Sequence, residues 1–146
     1  RILFNGRLAD VEEIKLIYTI LRDLDKVKIS VPNQQLLLGE IEDYGKDQII
    51  RRHVTVTPGF DVDRKKVESV LINAVKTVED VLDDPKPYVW INSFKDYAVE
   101  YQIFVFINNI TDLPLIESNL HKAVFDACEQ NDIDISTPLL LKKVED

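Results

Sequence analysis

Two hydrophobic periods divide this chain of 146 residues. Up to about Ile50 apolar residues recur at every second position: Ile14, Leu16, Tyr18 and Ile20 alternate with Lys15, Ile17 and Thr19, and Val27, Ile29 and Val31 alternate with Lys28 and Ser30. Side chains of a pleated strand point to opposite faces in turn, so both stretches read as strands. Arg22 to Lys26 is a charged hairpin turn between them. Pro32 and Asn33 end the second strand, because proline brings no amide to a ladder and asparagine tolerates turn geometry. Leu36 to Ile41 reads as another short strand, followed by a turn from Asp43 to Lys46. Several short strands without a helix predict a small all-β barrel or sandwich over residues 1–50.

From Arg51 the period changes. Arg52, Val54 and Val56 still alternate with His53, Thr55 and Thr57, and Pro58-Gly59 ends that strand. Val67, Leu71, Ala74, Val78 and Val81 then fall on one helical stripe, capped by Asp61 or Asp63 and running to about Leu82, where Asp83-Asp84-Pro85 stops it. Tyr88 to Lys95 and Tyr97 to Asn108 form a hairpin turned about Lys95-Asp96. Asp112 caps a second helix with Pro114 in its first turn, apolar at Ile116, Leu120, Ala123, Val124 and Ala127, and Asn131 stands at its C′ position. Ile133 and Ile135 form a last short strand. The order over residues 51–138 is therefore β-α-β-β-α-β, the ferredoxin-like arrangement with two helices on one face of an antiparallel sheet, and 139–146 is a tail or appended strand. The fold class is α+β.

Composition restricts what such a pair of folds can do. The net charge is −8, of which −6 lies between residues 51 and 138, and a chain this acidic repels phosphate backbones. No apolar run approaches the roughly 20 residues needed to cross a bilayer. The chain opens at Arg1 and contains 0 Met, so it reads as an excised fragment. Glycine occurs only at 6, 39, 45 and 59, which leaves no phosphate-binding loop. A single Cys128 forms no internal disulfide and fits a reducing compartment.

His121, Asp126 and Cys128 share the second helix and suggest a thiolate with its base, but Cys128 beside the apolar stripe reads as a packed small hydrophobe. Asp61 and Asp63 lack the remaining ligands of a calcium loop and read as helix caps. The strand from Glu100 to Ile107 resembles the base-stacking strand of RNA-recognition domains in position, yet lacks its basic and glycine residues. Phe104 and Phe106, with Trp90 and Phe94 of the neighbouring strand, are expected on the face away from the helices, which then needs a cover.

The ordered motifs resemble one family. Gly6 to Val11-Glu12-Glu13-Ile14, Leu16, Thr19, and Val27 to Ser30-Val31-Pro32-Asn33 are similar to the strand-rich middle domain of the small-conductance mechanosensitive channel (MscS) family, where an Ile/Val-Pro-Asn turn recurs. Arg51-Arg52-x-Val54-x-Val56, Asp63 to Val67 with Leu71, Asp84-Pro85-x-Pro87-x-Val89, Phe94-x-Asp96, and Ile133-Asp-Ile135 with Pro138 resemble its carboxy-terminal α/β domain. Ala9 stands where the family often has Gly, and Asp43 where Asn is common.

The resemblance implies an Sm-like barrel over 1–50 and a ferredoxin-like domain over 51–138, together the cytoplasmic cage of a homo-oligomeric, typically heptameric, channel in the cell membrane. Such a channel releases ions and small osmolytes under tension. Pore helices upstream of Arg1 would tie the cage to the membrane. It further implies no enzyme activity, no catalytic residues, no cofactor or metal and no nucleic-acid partner. Val31, Pro32, Asn33, Leu36, Leu139 and Leu141 are the candidate oligomer contacts. A reading from another class is a soluble nucleic-acid or small-ligand module on the same two folds.

Without pore helices to hold subunits at high effective concentration, the isolated chain is expected to assemble weakly. Interfaces below about 1,200 Å² are generally transient. Sedimentation at micromolar concentration should show mostly monomer or small oligomers; a closed ring that survives dilution to nanomolar would contradict this.

Overall fold

The computed structural model describes residues 1–45 and 48–135. It divides into two compact units, Arg1–Gln48 and Ile49–Asp146.

The first unit is an antiparallel sheet of β1 (Ile2–Phe4), β2 (Arg7–Ile14), β3 (Tyr18–Asp23), β4 (Lys28–Pro32) and β5 (Ile41–Asp43), in the order β4-β3-β2-β1-β5. Asn5 and Gly6, with φ of 49° and 78°, make the two-residue turn that pairs Phe4 with Arg7. Both left-handed conformations suit the twist of a hairpin, and Asn-Gly is the dipeptide that adopts them most readily. Alternate residues then converge on one core, where Phe4, Ala9, Leu21 and Val31 are buried and Ile2, Ile29 and Leu36 pack against them.

Two expectations for this unit need correction. The alternation from Ile14 to Ile20 is not one strand. β2 ends at Ile14, Lys15 N–H donates to the Tyr18 carbonyl at 2.9 Å, and β3 begins after the turn. Ile14, Leu16 and Ile17 are exposed, so their periodicity does not record burial. Leu36 to Ile41 is not a strand either: α1 (Asn33–Leu38) is a short helix, and only Ile41–Asp43 is extended. A run of three leucines fits either period, and packing decided the matter by seating Leu36 on the core while Leu37 and Leu38 face outward. Part of the turn expected from Asp43 to Lys46 lies outside the described residues, since Lys46 is not among them.

The hairpin between β3 and β4 is closed by Asp23. Its buried carboxylate accepts from Val27 N–H at 2.8 Å and Asp25 N–H at 3.0 Å, and pairs with Arg7. Lys26 takes a left-handed φ of 68° inside that turn.

The second unit contains β6 (Ile50–Val56), α2 (Arg64–Lys76), β7 (Tyr88–Phe94), β8 (Val99–Ile107) and α3 (Leu113–Gln130). The sheet order is β6-β8-β7, antiparallel throughout. Val67, Leu71 and Val75 of α2 and Ile116, Leu120, Val124 and Cys128 of α3 are buried, as are Val54, Val56, Ile103, Val105 and Ile107 of the sheet. Asp63 caps α2, its carboxylate accepting from Lys66 N–H at 3.3 Å.

Helix ends depart from expectation in instructive ways. α2 stops at Lys76, not near Leu82, because the Thr77 hydroxyl donates back to the Ala74 carbonyl at 2.6 Å and the backbone leaves the helix. Val78 remains buried from the turn that follows. Asp112 stands at the start of α3 without a side-chain cap bond, and accepts instead from Asn109 Nδ2 at 3.1 Å. Asn131 is the last residue of that helix's cap with φ −106°, and the left-handed position falls on Asp132 at 56°. Ile133 and Ile135 belong to no strand among the described residues; Ile133 is buried and its N–H donates to the Cys128 carbonyl at 2.8 Å. The observed order is therefore β-α-β-β-α, and the tail at 139–146 lies outside the described residues.

Leu71 is fully buried between α2 and the sheet, so Leu71→Ala should cost about 2–5 kcal/mol in urea unfolding of the second unit, against little for Leu37→Ala on the exposed side of α1. The amide of Val27 and the Arg7 guanidinium, outweighing the opposing effect of burial, hold the Asp23 carboxyl below the usual carboxylate range. A carboxyl with a depressed folded pKa stabilises above its unfolded pKa of about 3.9 and loses that contribution as pH falls through the folded value. Acid titration of the first unit should show this loss below about pH 4, and Asp23→Asn should remove it.

Candidate interaction surfaces

In the first unit the Pro32-Asn33 turn works as a clamp. Asn33 Nδ2 donates to the carbonyls of Lys15 at 2.8 Å and Leu16 at 3.1 Å, its backbone N–H donates to the Ile17 carbonyl at 2.8 Å, and its Oδ1 accepts from the Thr19 hydroxyl at 2.6 Å. One side chain thus fixes the 15–17 loop to the start of α1. The loop it fixes is aliphatic and open: Leu16 is 94% exposed, flanked by exposed Ile14 and Ile17, and α1 adds exposed Leu37 and Leu38.

The candidate contact residues are placed unequally. Val31 is buried in its own unit and Leu36 packs against the same core, while Pro32 is exposed and Asn33 is half-buried by the loop it holds. Leu139 and Leu141 lie outside the described residues. Sequence reasoning took Leu16 and Ile17 for strand residues, although a Lys-Leu-Ile stretch between two alternating runs can equally be a turn.

In the second unit the outer face of the sheet buries one of its own rings. Phe104 and Phe106 do point away from the helices, opposite His53 and Arg51 on β6, and Tyr88 pairs with Phe104 from β7. The Tyr88 and Phe104 rings stack with centroids 5.0 Å apart, Trp90 meets Phe104 edge-on at 5.2 Å, and the Arg51 guanidinium lies 4.5 Å from the Phe104 centroid. Arg51 Nη1 also donates to the Tyr88 hydroxyl at 2.9 Å. Phe104 is left only 5% exposed. Cation–π and ring contacts among neighbours cover Phe104, while Trp90 on the same face stays 57% exposed.

Phe94 is not part of that cluster. A bulge between Ile91 and Ser93 inserts one residue and reverses the alternation, so Phe94 pairs with Val99 on the opposite face. There it stacks with Phe60 at 6.1 Å.

The helix residues carry no nucleophilic arrangement. Cys128 is buried, and desolvation pushes its thiol pKa up, which disfavours the thiolate. His121 is exposed, with Nδ1 2.7 Å from the Glu117 carbonyl. Among the described residues no group of three or more His, Cys, Asp or Glu is placed to hold a metal, and no helix is long and apolar enough to cross a membrane.

Residues 50–135 match the family model described as the C-terminal part of the mechanosensitive ion channel MscS. The chain belongs to the MscS family. An uncharacterized MscS family protein of Buchnera aphidicola is 25% identical over 88% of this chain and 45% of its own length. The miniconductance mechanosensitive channel MscM of Escherichia coli is 19% identical over 94% of this chain and 12% of its own. The crystal structure of Helicobacter pylori MscS in its closed state superposes with a TM-score of 0.83 at 20% identity, over 95% of this chain and 55% of that one. The chain therefore spans less than half the length of these two relatives.

Asn33→Ala should cost about 1–3 kcal/mol, because it leaves the buried Thr19 hydroxyl unpaired and releases the loop carbonyls. In a thermal-unfolding cycle with Thr19→Val the two losses should be less than additive, whereas full additivity would separate the residues energetically.

Proposed function

We propose that this chain is the cytoplasmic portion of a homo-oligomeric MscS-type channel that passes ions and small osmolytes under membrane tension. The observation that carries the reading is the structural match to Helicobacter pylori MscS across both units. In this reading the first unit is an Sm-like ring element beneath a pore formed by helices upstream of Arg1, and the second is a ferredoxin-like element of a cage. Seven copies would surround the axis.

The exposed aliphatic loop at 14–17 and the outer leucines of α1 support self-association, since apolar surface on so small a unit is stabilised by a neighbour. Pro32 and Asn33 lie at the base of that surface, which keeps the Pro32-Asn33 turn among the proposed contact points; Val31 and Leu36 act there from behind, by seating the turn on the core. Ring formation is tested by cross-linking the parent channel in membranes: Leu16→Asp should reduce the oligomer ladder strongly, and Leu71→Ala should not do so beyond its effect on folding.

The competing reading, a nucleic-acid or small-ligand module, draws less support. The ring that would stack a base, Phe104, is already capped by Arg51 and Tyr88.

The excess of acidic residues between 51 and 138, net −6 per chain, would make the vestibule electronegative and enrich cations near it, through a field screened within about 10 Å at 0.1 M salt. In asymmetric KCl the reversal potential of the parent channel should lie on the potassium side and move toward zero as ionic strength rises. Reversal on the chloride side at both low and high salt would refute this.

A further inference from the structure

The two-residue turn between β1 and β2 holds a reactive pair. Asn5-Gly6 is the only place in the chain where glycine follows asparagine. Both residues are exposed, and a methyl group added to Gly6 would meet no atom within 4 Å. The β1–β2 ladder runs outward from Phe4 and Arg7, so the Gly6 amide stands outside it, at the surface. Elsewhere asparagine side chains are held. Asn33 clamps the 15–17 loop and the Thr19 hydroxyl, Asn92 donates to Glu100, Asn109 donates to Asp80 at 3.3 Å and Asp112 at 3.1 Å, and Asn131 donates to the Ala127 carbonyl at 2.8 Å.

Asparagine followed by glycine can react with its own backbone. The Gly6 nitrogen gives up its proton to hydroxide and attacks Asn5 Cγ. A bond forms from Gly6 N to Cγ and the bond from Cγ to Nδ2 breaks; the departing amide takes up a proton and leaves as ammonia. Water then opens the cyclic imide. Cleavage between Gly6 N and Cγ gives aspartate, and cleavage between Gly6 N and the main-chain carbonyl carbon of residue 5 gives isoaspartate, in which the backbone runs through Cγ. Water is the only co-reactant consumed. Glycine favours the ring closure because no Cβ stands beside the attacking nitrogen.

Conformation sets the rate. A left-handed backbone has a ψ of about +47°, which turns the following nitrogen away from the side chain of the same residue. Asn5, with φ of 49°, lies in that region, so its Cγ and the Gly6 nitrogen meet only when the turn opens. Opening is a local event at the end of a strand only three residues long. The isoaspartyl product does not fit the closed turn. It adds one methylene to the backbone, and a turn of two residues has no slack to absorb it while Phe4 stays opposite Arg7. Phe4 belongs to the small core of this unit, so the lost register is felt there.

We propose that Asn5 is a site of spontaneous deamidation, the fastest in the chain, that its rate is set by opening of the Asn5-Gly6 turn, and that its isoaspartyl product loosens the β1–β2 hairpin. This goes beyond the channel reading and does not depend on it, since it concerns the chemistry of one turn.

The test ages the 146-residue chain at mildly alkaline pH and follows each asparagine by peptide mapping with mass spectrometry, resolving aspartyl from isoaspartyl products. Asn5 should convert before any other asparagine, faster as pH rises, and ~tenfold or more slowly than in an unstructured peptide of residues 1–10. Conversion that begins at another asparagine would overturn the proposal. So would a rate at Asn5 equal to that of the peptide, which would remove the control by the turn, or no conversion at Asn5 after the peptide is fully converted. The two aged forms carry the same charge, so hydrogen exchange compares their backbones. Amides of β1 and β2 should exchange faster in the isoaspartyl form than in the aspartyl form, with α2 amides as the internal reference. Equal exchange in the two forms would overturn the loosening of the hairpin.

Discussion

A unit of fewer than fifty residues cannot close around all of its aliphatic side chains, because too large a fraction of any small body is surface. The first unit shows how the shortage is handled. Its interior holds Phe4, Ala9, Leu21 and Val31 with three partly buried neighbours, and the remaining aliphatics are set outside on a loop and a short helix. Asn33 gives that arrangement its definition. Its amide group holds the backbone of the loop so that Leu16 and Ile17 are presented in one geometry instead of collapsing onto the sheet. Exposed apolar area of this kind is the feature on which the proposed ring-forming role rests.

The second unit has the opposite economy. Two helices and three strands provide enough interior for α2 and α3 to bury complete stripes, and on the sheet's outer face Phe104 finds cover from Arg51, Tyr88 and Trp90. Among the described residues no strand follows α3. The ion pair of Arg52 with Glu117 joins β6 to α3, and the Thr57 hydroxyl donates to the Ile135 carbonyl beyond α3. Both β6 and β7 pair only with β8 among the described residues, so each has one side without a strand partner there.

Periodicity served well where a face is buried. The stripe from Val67 to Ala74 and the alternation from Val99 to Ile107 are legible because each apolar residue in them is set against a core. The same signal misled at Ile14–Ile20, where Ile14 and Leu16 are exposed and the chain turns before Tyr18, and at Leu36–Ile41, where three consecutive leucines belong to no single period. The hairpin at Asn5-Gly6 could have been read from its dipeptide. The end of α2 could not, because the back-bonding of Thr77 depends on local geometry that a pattern of hydrophobicity does not encode.

From the chain alone came the change of period near residue 50, the strand-then-helix order of the second unit, the packing of Cys128 beside the apolar stripe, and the motif set that resembles the MscS family. These follow from properties carried by each residue and its near neighbours: period, charge, turn chemistry, and the order of short motifs. Which aliphatics are outside, which aromatic ring is covered by which guanidinium, and that the bulge after Ile91 sends Phe94 to the other face were decided only in three dimensions. The reason is that these facts rest on contacts between residues far apart in sequence, as with Asn33 and Lys15 or Arg51 and Tyr88, and a one-residue shift in register reverses every one of them.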